Sequence, residues 1–376
     1  MKILTVNSGS SSVRLAVYAY LPDGSLQLLG AAHENNATEE AGDFLDRFVA
    51  HHDLTGLAVI THRVVHGGAT LVGPQLVDQA VESQIERLGP LAPLHQKKAL
   101  HWIRMCRLRF GPDVAQLAVF DTAFFAGLPQ VARSYALPQA LCEKYGLRRY
   151  GFHGLAHRAL WRRWCQLRPD LGRGGRIISL QLGAGCSVTA TADGEPQDTS
   201  MGFTPLEGLV MATRSGDIDP GVVTFLQRNE SLTAEATDRL LELHSGLLGI
   251  SGISSDMRQL IAQEENPQAR LAIEVFCYRV RKYLGAYTAV LGGTDGIIFG
   301  GGIGENAPLV RERILSDMQW CGVRLDYAAN IDATGGERRI SDSQSQVDVW
   351  VMPVDEAGEL AREGADAIAR RYSSTR

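Results

Sequence analysis

Arg176-Ile177-Ile178-Ser179-Leu180 is an apolar strand that breaks at Gln181-Leu182-Gly183-Ala184-Gly185-Cys186-Ser187 and resumes at Val188-Thr189-Ala190-Thr191. Branched apolar residues on both sides of a small-residue break predict strand, turn, strand. The chain has made the same unit once before. Ile3 to Val6 breaks at Asn7-Ser8-Gly9-Ser10-Ser11-Ser12, after which Val13, Leu15 and Val17 alternate with Arg14, Ala16 and Tyr18. Asn7 and Gln181 each stand two residues before the first glycine of their turn, and each turn ends in Ser followed by Val. One unit present twice predicts two similar α/β domains facing each other. A turn of Gly and Ser exposes backbone N–H groups and hydroxyls, which suits a phosphate or a hydrated metal ion. Each turn alone also reads as an ordinary hairpin; two across one cleft favour a nucleotide site.

At 376 residues the chain has room for two domains with proper cores. Its net charge of -5 provides no basic surface for nucleic acid, and no apolar run is long enough to span a bilayer. The N-terminus has no signal-peptide pattern, and the six cysteines form no CxxC pair, which together predict a cytoplasmic protein with reduced thiols.

Further along, Leu117 to Phe120 is a strand with Asp121 just past its carboxyl end, where open α/β sheets keep their chemistry. His153 and His157 could share a helical face or lie in a loop, and without a third ligand the pair is a poor zinc site. Between Asp198 and Pro220, Thr204, Pro205 and Glu207 predict a short capped helix, and Asp219-Pro220 starts another. Arg214 lies between them, either paired with Asp217 or Asp219 or free to grip an anion. Gly246 to Arg258 reads as a small-residue loop delivering Asp256 and Arg258. A long helix starts near Asn266-Pro267, with Ala272, Phe276, Val280 and Leu284 on the side that packs on a sheet. Ile297-Ile298-Phe299 is a buried strand, and Gly300 to Asn306 leads into a helix from about Pro308 to Gly322; the glycines would let a nucleotide approach the backbone. Carboxylates at Asp355 and Glu356, opening the last helix, complement its dipole or hold a metal.

Taken together, Asn-Ser-Gly-Ser-Ser-Ser at 7–12, His-Arg-Val-Val-His-Gly-Gly at 62–68, Phe-Asp-Thr-Ala-Phe at 120–124, Arg-Arg-Tyr-Gly-Phe-His-Gly at 148–154, the segment 198–220, Gly-Ile-Ser-Gly-Ile-Ser-Ser-Asp at 249–256 and Gly-Gly-Ile-Gly-Glu-Asn at 301–306 resemble the acetokinase family, in order and over almost the whole chain. The resemblance implies a duplicated actin-like (ribonuclease H-like) α/β fold with a nucleotide cleft between the domains, residues 1–125 plus 359–376 forming one and 126–358 the other. It implies a homodimer and reversible phosphoryl transfer from Mg-ATP to acetate, with manganese as the alternative ion. By position, Asn7 and Glu356 would serve the metal, Arg14 would replace a family lysine near the phosphates, and Asp121, His153 and Arg214 would be catalytic. Arg63 would hold the acetate carboxylate, and Val65, Leu94, Phe152 and Pro205 would wall its methyl pocket. Gln181, Leu182, Gly183, Ala184 and Gly185 would form the phosphate turn; Asp256, Met257, Arg258, Gly302, Ile303, Gly304, Glu305 and Asn306 would line the adenosine site.

The phosphate turn departs from the family's His-Leu-Gly-Asn-Gly at Gln181 and Ala184, which replaces a chargeable ring by a neutral amide and an amide by a methyl. Two other readings follow: a kinase of propionate or another short carboxylate, or a nucleotide-binding protein of this fold with impaired catalysis. The presence of Arg63, Asp121, His153 and Arg214 together speaks against the second.

Overall fold

The computed structural model describes residues 1–9, 12–35 and 41–373. Among these, the strands form two six-stranded sheets. The first contains β1 (Lys2–Ser8), β2 (Ser12–Tyr20), β3 (Leu26–Asn35), β4 (Leu57–Val64), β5 (Gln75–Leu76) and β6 (Ala115–Phe120), in the order β3-β2-β1-β4-β6-β5. The second contains β7 (Arg176–Leu182), β8 (Cys186–Ala192), β9 (Glu195–Thr199), β10 (Gly296–Gly300), β11 (Arg338–Arg339) and β12 (Asp348–Val351), in the order β11-β12-β10-β7-β8-β9. Read from the opposite edge, this is the first order with six added to every strand. The pairing senses match too: β1–β2 and β7–β8 are antiparallel, while β1–β4, β4–β6, β7–β10 and β10–β12 are parallel. Even an irregularity recurs, a register shift at Val17/Tyr18 in β2 and at Ala190/Thr191 in β8. The repeat legible in two turns is a repeat of whole sheets, and the fold is the duplicated α/β type.

Two compact units hold these sheets. One comprises Met1–Ala126, Phe152–Ala159 and the chain from Asp355 on; the other comprises Gly127–Gly151 and Leu160–Val354. The first therefore takes in 126, 152–159 and 355–358, which the division by sequence left with the second domain. In the first unit the C-terminal helix Glu356–Ser373 sets Leu360, Ala361 and Ala365 on Ile3, Val59, Leu117 and Val119. The opposite face is covered by Phe44, Leu45, Phe48 and Trp102, packed on Leu4, Val6, Leu15 and Ile60. Trp102 is fully enclosed, and its truncation to Ala would cost about 3–5 kcal/mol. In the second unit the helix Pro267–Leu291 begins at Asn266, whose side chain accepts the Gln268 N–H, and stops at Gly292 in the left-handed region. Its stripe of Ala272, Phe276, Val280 and Leu284 is buried. Leu160 and Trp164 pack with Ile177 and Ile298 to close another part of that core.

Three local expectations fail. The segment 200–219 holds turns and bends, not a helix at Thr204. Glu207 does not close a capping box, because its carboxylate is taken by Tyr135 and by Arg149 at 2.6 Å, and Gly208 turns the chain with φ 106°. Gly246 to Arg258 is not one loop: Gly246–Ser251 is a short helix, and Asp256 caps another, Met257–Ala262. The helix from Pro308 stops at Leu315, where the chain bends through Asp317 at φ 61° well before Gly322.

Candidate active site

The carboxyl ends of β1, β4 and β6 converge on one polar cluster. The register Val6↔His62 and His62↔Ala118 sets Asn7 beside Arg63 in the next row, and Asp121 follows β6 directly. Arg63 Nε donates to both Asp121 oxygens at 3.1 Å, and Nη2 donates to Oδ2 at 2.7 Å. Nη1 donates to Asn7 Oδ1 at 3.2 Å and stands 3.5 Å from Glu356 Oε2. Asn7 Nδ2 closes the set by donating to Glu356 Oε2 at 2.6 Å. Asp121 is fully buried, so its charge depends on this two-pronged guanidinium contact. Burial pushes its carboxyl up from the ordinary value, while Arg63 and the Leu155 N–H pull it down. Burial also opposes the Arg63 charge, but Asp121 and Glu356 outweigh it and hold the guanidinium firmly protonated.

His153 enters from the turn before the helix Gly154–Leu167, in the left-handed region at φ 58°. Such a conformation in a non-glycine residue costs about 1–3 kcal/mol and is often met at functional sites. Its cause is next door. A Cβ on Gly154 would lie 1.9 Å from the Asp121 carbonyl oxygen, so the helix starts pressed against the Asp121 turn. His157, one turn on, is buried and driven down to about 3, first by burial and then by His153, which keeps it neutral near pH 7. Val65 and Phe152 are buried, with the Phe152 ring centroid 5.4 Å from that of His66. Arg14 pairs in register with Asn7 and is exposed. Ser10, Ser11 and the side chain of Leu94 lie outside the described residues.

The second unit brings a different set together. Gly183, Ala184, Asp256, Met257, Arg258, Gly302, Ile303 and Asn306 line one cavity of about 470 Å³, joined by Ala212, Ser255 and Ala307, to which sequence reasoning gave no role: the two alanines carry no polar group, and Ser255 stood in a motif beside the charged Asp256. That volume suits a small organic ligand. Arg258 Nη2 and Asp256 Oδ2 form an ion pair at 2.6 Å. Leu182 and Gly304 are buried, Gly185 does not reach the cavity lining, and the Glu305 carboxylate turns back to accept the Gly301 N–H at 3.0 Å. Gln181 Oε1 is buried without a hydrogen-bond partner. A larger cavity of about 1000 Å³, near Trp320, Arg324 and Asp342, contains none of the glycine-rich turns and no cluster like that at Arg63.

Arg214 is ion-paired, but not as its neighbours in sequence suggested. Its Nε meets Glu242 Oε2 at 2.9 Å, and Nη1 donates to the Pro205 carbonyl at 3.2 Å. Asp217 instead accepts from the Gly208 N–H and from Tyr283, and Asp219 caps the helix Pro220–Asn229. The Arg214 loop is fastened to the turn Gly183–Gly185 by Ala212 N–H donating to the Ala184 carbonyl at 3.0 Å. Arg149 donates to Glu207 at 2.6 Å and to the Thr199 and Ser200 carbonyls at 3.0 and 3.2 Å, a hub that motif reading named without giving it a task.

For a magnesium ion, the Asn7 amide oxygen and the Glu356 carboxylate are the right hard oxygen donors. Among the described residues no group of three or more His, Cys, Asp or Glu gathers around a metal position. Two protein oxygens with water and substrate phosphate is an arrangement magnesium accepts, so the residues fit.

The acetokinase family model matches residues 23–362. An acetate kinase of Halothermothrix orenii is 40% identical over 98% of this chain and 100% of its own length. One of Chloroherpeton thalassium is 45% identical over 85% of this chain and 77% of its own. Among solved structures, Porphyromonas gingivalis acetate kinase matches with TM-score 0.83 at 36% identity, covering 96% of this chain and 98% of that one. A propionate kinase from Francisella tularensis matches with TM-score 0.87 at 33% identity over the same shares of the two chains.

Proposed function

The chain belongs to the acetokinase family, and on that footing we propose that it transfers the terminal phosphoryl group of ATP to acetate, reversibly, giving acetyl phosphate and ADP. The observation that carries this reading is Arg63, held by Asp121 in a buried setting with Asn7 and Glu356 beside it. A loose phosphoryl transition state spreads negative charge over its equatorial oxygens, so positioned cations and donors are the useful groups. Arg63 would hold the acetate carboxylate, and His153 and Arg214 would stabilise the group in flight. Acetate is already ionised near neutral pH and needs no base. Asp121 spends its oxygens on Arg63 and the Leu155 N–H, which supports a positioning role for it. Asn7 and Glu356 would hold magnesium or manganese, which when bound neutralises phosphate charge. The cavity at Gly183, Asp256 and Gly302 would take the adenosine part of ATP, with Arg14 and Gln181 serving the phosphates.

Val65, Leu94, Phe152 and Pro205 would wall the methyl pocket. One methylene is worth about 1–3 kcal/mol of discrimination, so propionate is a slower second substrate rather than an excluded one. No helix among the described residues is long and apolar enough to cross a membrane; the cytoplasm and a homodimer complete the proposal. Hydroxylamine trapping of acyl phosphate from ATP, magnesium and acetate, propionate or butyrate tests it. Acetate should give the highest kcat/KM. A higher value for propionate would reassign the acid, and no product from any acid would leave a nucleotide-binding protein.

A further inference from the structure

Arg311 is fully buried in the second unit, and among the described residues no carboxylate is paired with it. Arg63, Arg149 and Arg214 each pair with an acid, at Asp121, Glu207 and Glu242. Arg311 gives all five N–H groups to neutral acceptors instead. Nε donates to Asn330 Oδ1 at 2.8 Å; Nη1 to the Gly304 and Glu305 carbonyls at 2.8 and 3.1 Å; Nη2 to the Asn330 and Ala333 carbonyls, both at 2.7 Å. Hydrogen bonding is complete, but the charge is not balanced. Burial without a counter-ion pulls Arg311 down to about 10, which leaves it a cation near neutral pH. An uncompensated buried charge is costly, and a purely structural hub would be served as well by neutral donors.

Its place gives the charge a use. Two of its acceptors belong to the short helix Gly301–Asn306, of which Gly302, Ile303 and Asn306 line the cavity. The charges lining that cavity, Asp256 and Arg258, cancel each other. The glycine-rich turn carries no lysine of its own. We propose that Arg311 is a positioning and charge-bearing residue of the nucleotide site, acting from behind the wall: it fixes the short helix Gly301–Asn306 and supplies positive potential that the nucleotide's phosphates balance. This rests on the assignment of the cavity to the nucleotide. A buried cation in a low-dielectric wall acts over a longer range than an exposed lysine, because water screens it less.

The test separates charge from shape. Asn330→Asp keeps an oxygen for Arg311 Nε but places a carboxylate against it. Calorimetry on the full chain, with ADP and with uncharged adenosine as probes, should show ADP binding weakened on the order of 10-fold and adenosine unchanged; because the Asp also loses the Asn330 Nδ2 donation to the Pro308 carbonyl at 3.0 Å, the melting temperature falls and binding is compared below it, on folded protein. Arg311→Lys is the second arm. It keeps the charge but loses most of the hydrogen bonds, so both ligands should weaken while the ADP-to-adenosine ratio stays near wild type. Equal ADP affinity in wild type and a folded Asn330→Asp variant overturns the proposal, as does equal weakening of both ligands in it, or a collapsed ratio in Arg311→Lys. If wild type binds neither probe, the nucleotide assignment itself falls, and this inference with it.

Discussion

The same strand tips in the two sheets have opposite contents. In the first, the row beyond Val6 and His62 carries Asn7 and Arg63, and β6 runs on into Asp121. In the second, the matching row beyond Leu180 and Phe299 carries Gln181 and Gly300, and β12 runs on into Met352 and Pro353. One backbone plan supports a charged cluster in one copy and a neutral, glycine-rich edge in the other. Duplication therefore supplies positions rather than chemistry. Parallel strands bring their carboxyl ends to one level, and side-chain choice at three positions decides whether that level binds charge or makes room for a ligand.

The largest break in this asymmetry comes from removing the charge at its centre. Arg63→Met leaves Asp121 fully buried beside Glu356 with no cation, so unfolding free energy should fall by about 3–5 kcal/mol. Acyl phosphate formation should fall at least about 100-fold. Adding Asp121→Asn to Arg63→Met should return most of the stability and none of the activity, read by urea unfolding and hydroxylamine trapping. A loss under about 1 kcal/mol in the single variant would mean that the buried pair contributes little beyond its own desolvation.

Acid should expose the same contrast. His62 is buried with Nε2 on Gln116 and is driven down to about 4, mainly by burial; His157 lies at about 3. Both folded values lie below the unfolded one near 6.5, so the unfolded chain takes up protons first as pH falls. The stability they contribute is complete above about pH 6.5 and is lost toward their folded values, at about 2 kcal/mol for each histidine between pH 6.5 and 5. Of the chain's ten histidines only His244, which is exposed, lies in the second unit. Hydrogen exchange at pH 5 should show the first unit opening before the second, and His62→Gln should reduce that difference. Equal opening of both units would count against burial of these rings as the cause.

How far such contrasts could be read in advance depended on the distance over which a residue's partners lie. The two turns announced the duplication because a strand break with β-branched flanks is a local signal, and Asp121 at a strand end was legible from topology alone. Arg214 was not, because Glu242 lies 28 positions away and only the fold brings it closer than Asp217. The helix expected at Thr204 failed for the same reason: its capping glutamate was claimed by Tyr135 and Arg149, far off in the chain. The glycines of 300–302 were legible as a group but not individually. A Cβ at Gly300 would meet Val354 at 2.7 Å, and one at Gly301, where φ is 77°, would meet the Leu182 carbonyl at 2.6 Å, whereas Gly302 faces open space. Only the third makes room for a ligand; the first two serve packing.

That difference within one turn is the next test. Gly301→Ala should cost about 1–3 kcal/mol through its backbone conformation and contact. Gly302→Ala should leave the melting temperature within about 2 °C and raise KM for ATP several-fold with little change in kcat. If both variants lose stability equally, the turn acts as one packing element and the second sheet's edge has no ligand-facing position of its own.

The smallest effect is expected where the two tips differ by an amide against an amide, Asn7 and Gln181. Asn7 is satisfied on both sides, by Arg63 and Glu356, whereas Gln181 Oε1 is buried with no partner. An acceptor already desolvated and unpaired contributes nothing by being polar, so Gln181→Leu should be neutral or stabilising by up to about 1 kcal/mol. In activity the direction reverses. Gln181→His with Ala184→Asn restores a chargeable ring and a hydrogen-bonding amide to the turn that meets the phosphates in our proposal, and kcat should rise about 2- to 5-fold, an electrostatic gain of less than 1 kcal/mol at a part-exposed site. A stable Leu variant with unchanged kcat would mean that Gln181 is a spacer and that catalysis leans on Arg63, His153 and Arg214. A Leu variant that folds normally but loses most of its turnover would show the opposite: the unpaired oxygen is held in reserve for a donor that arrives with the substrate, and the second tip carries chemistry after all.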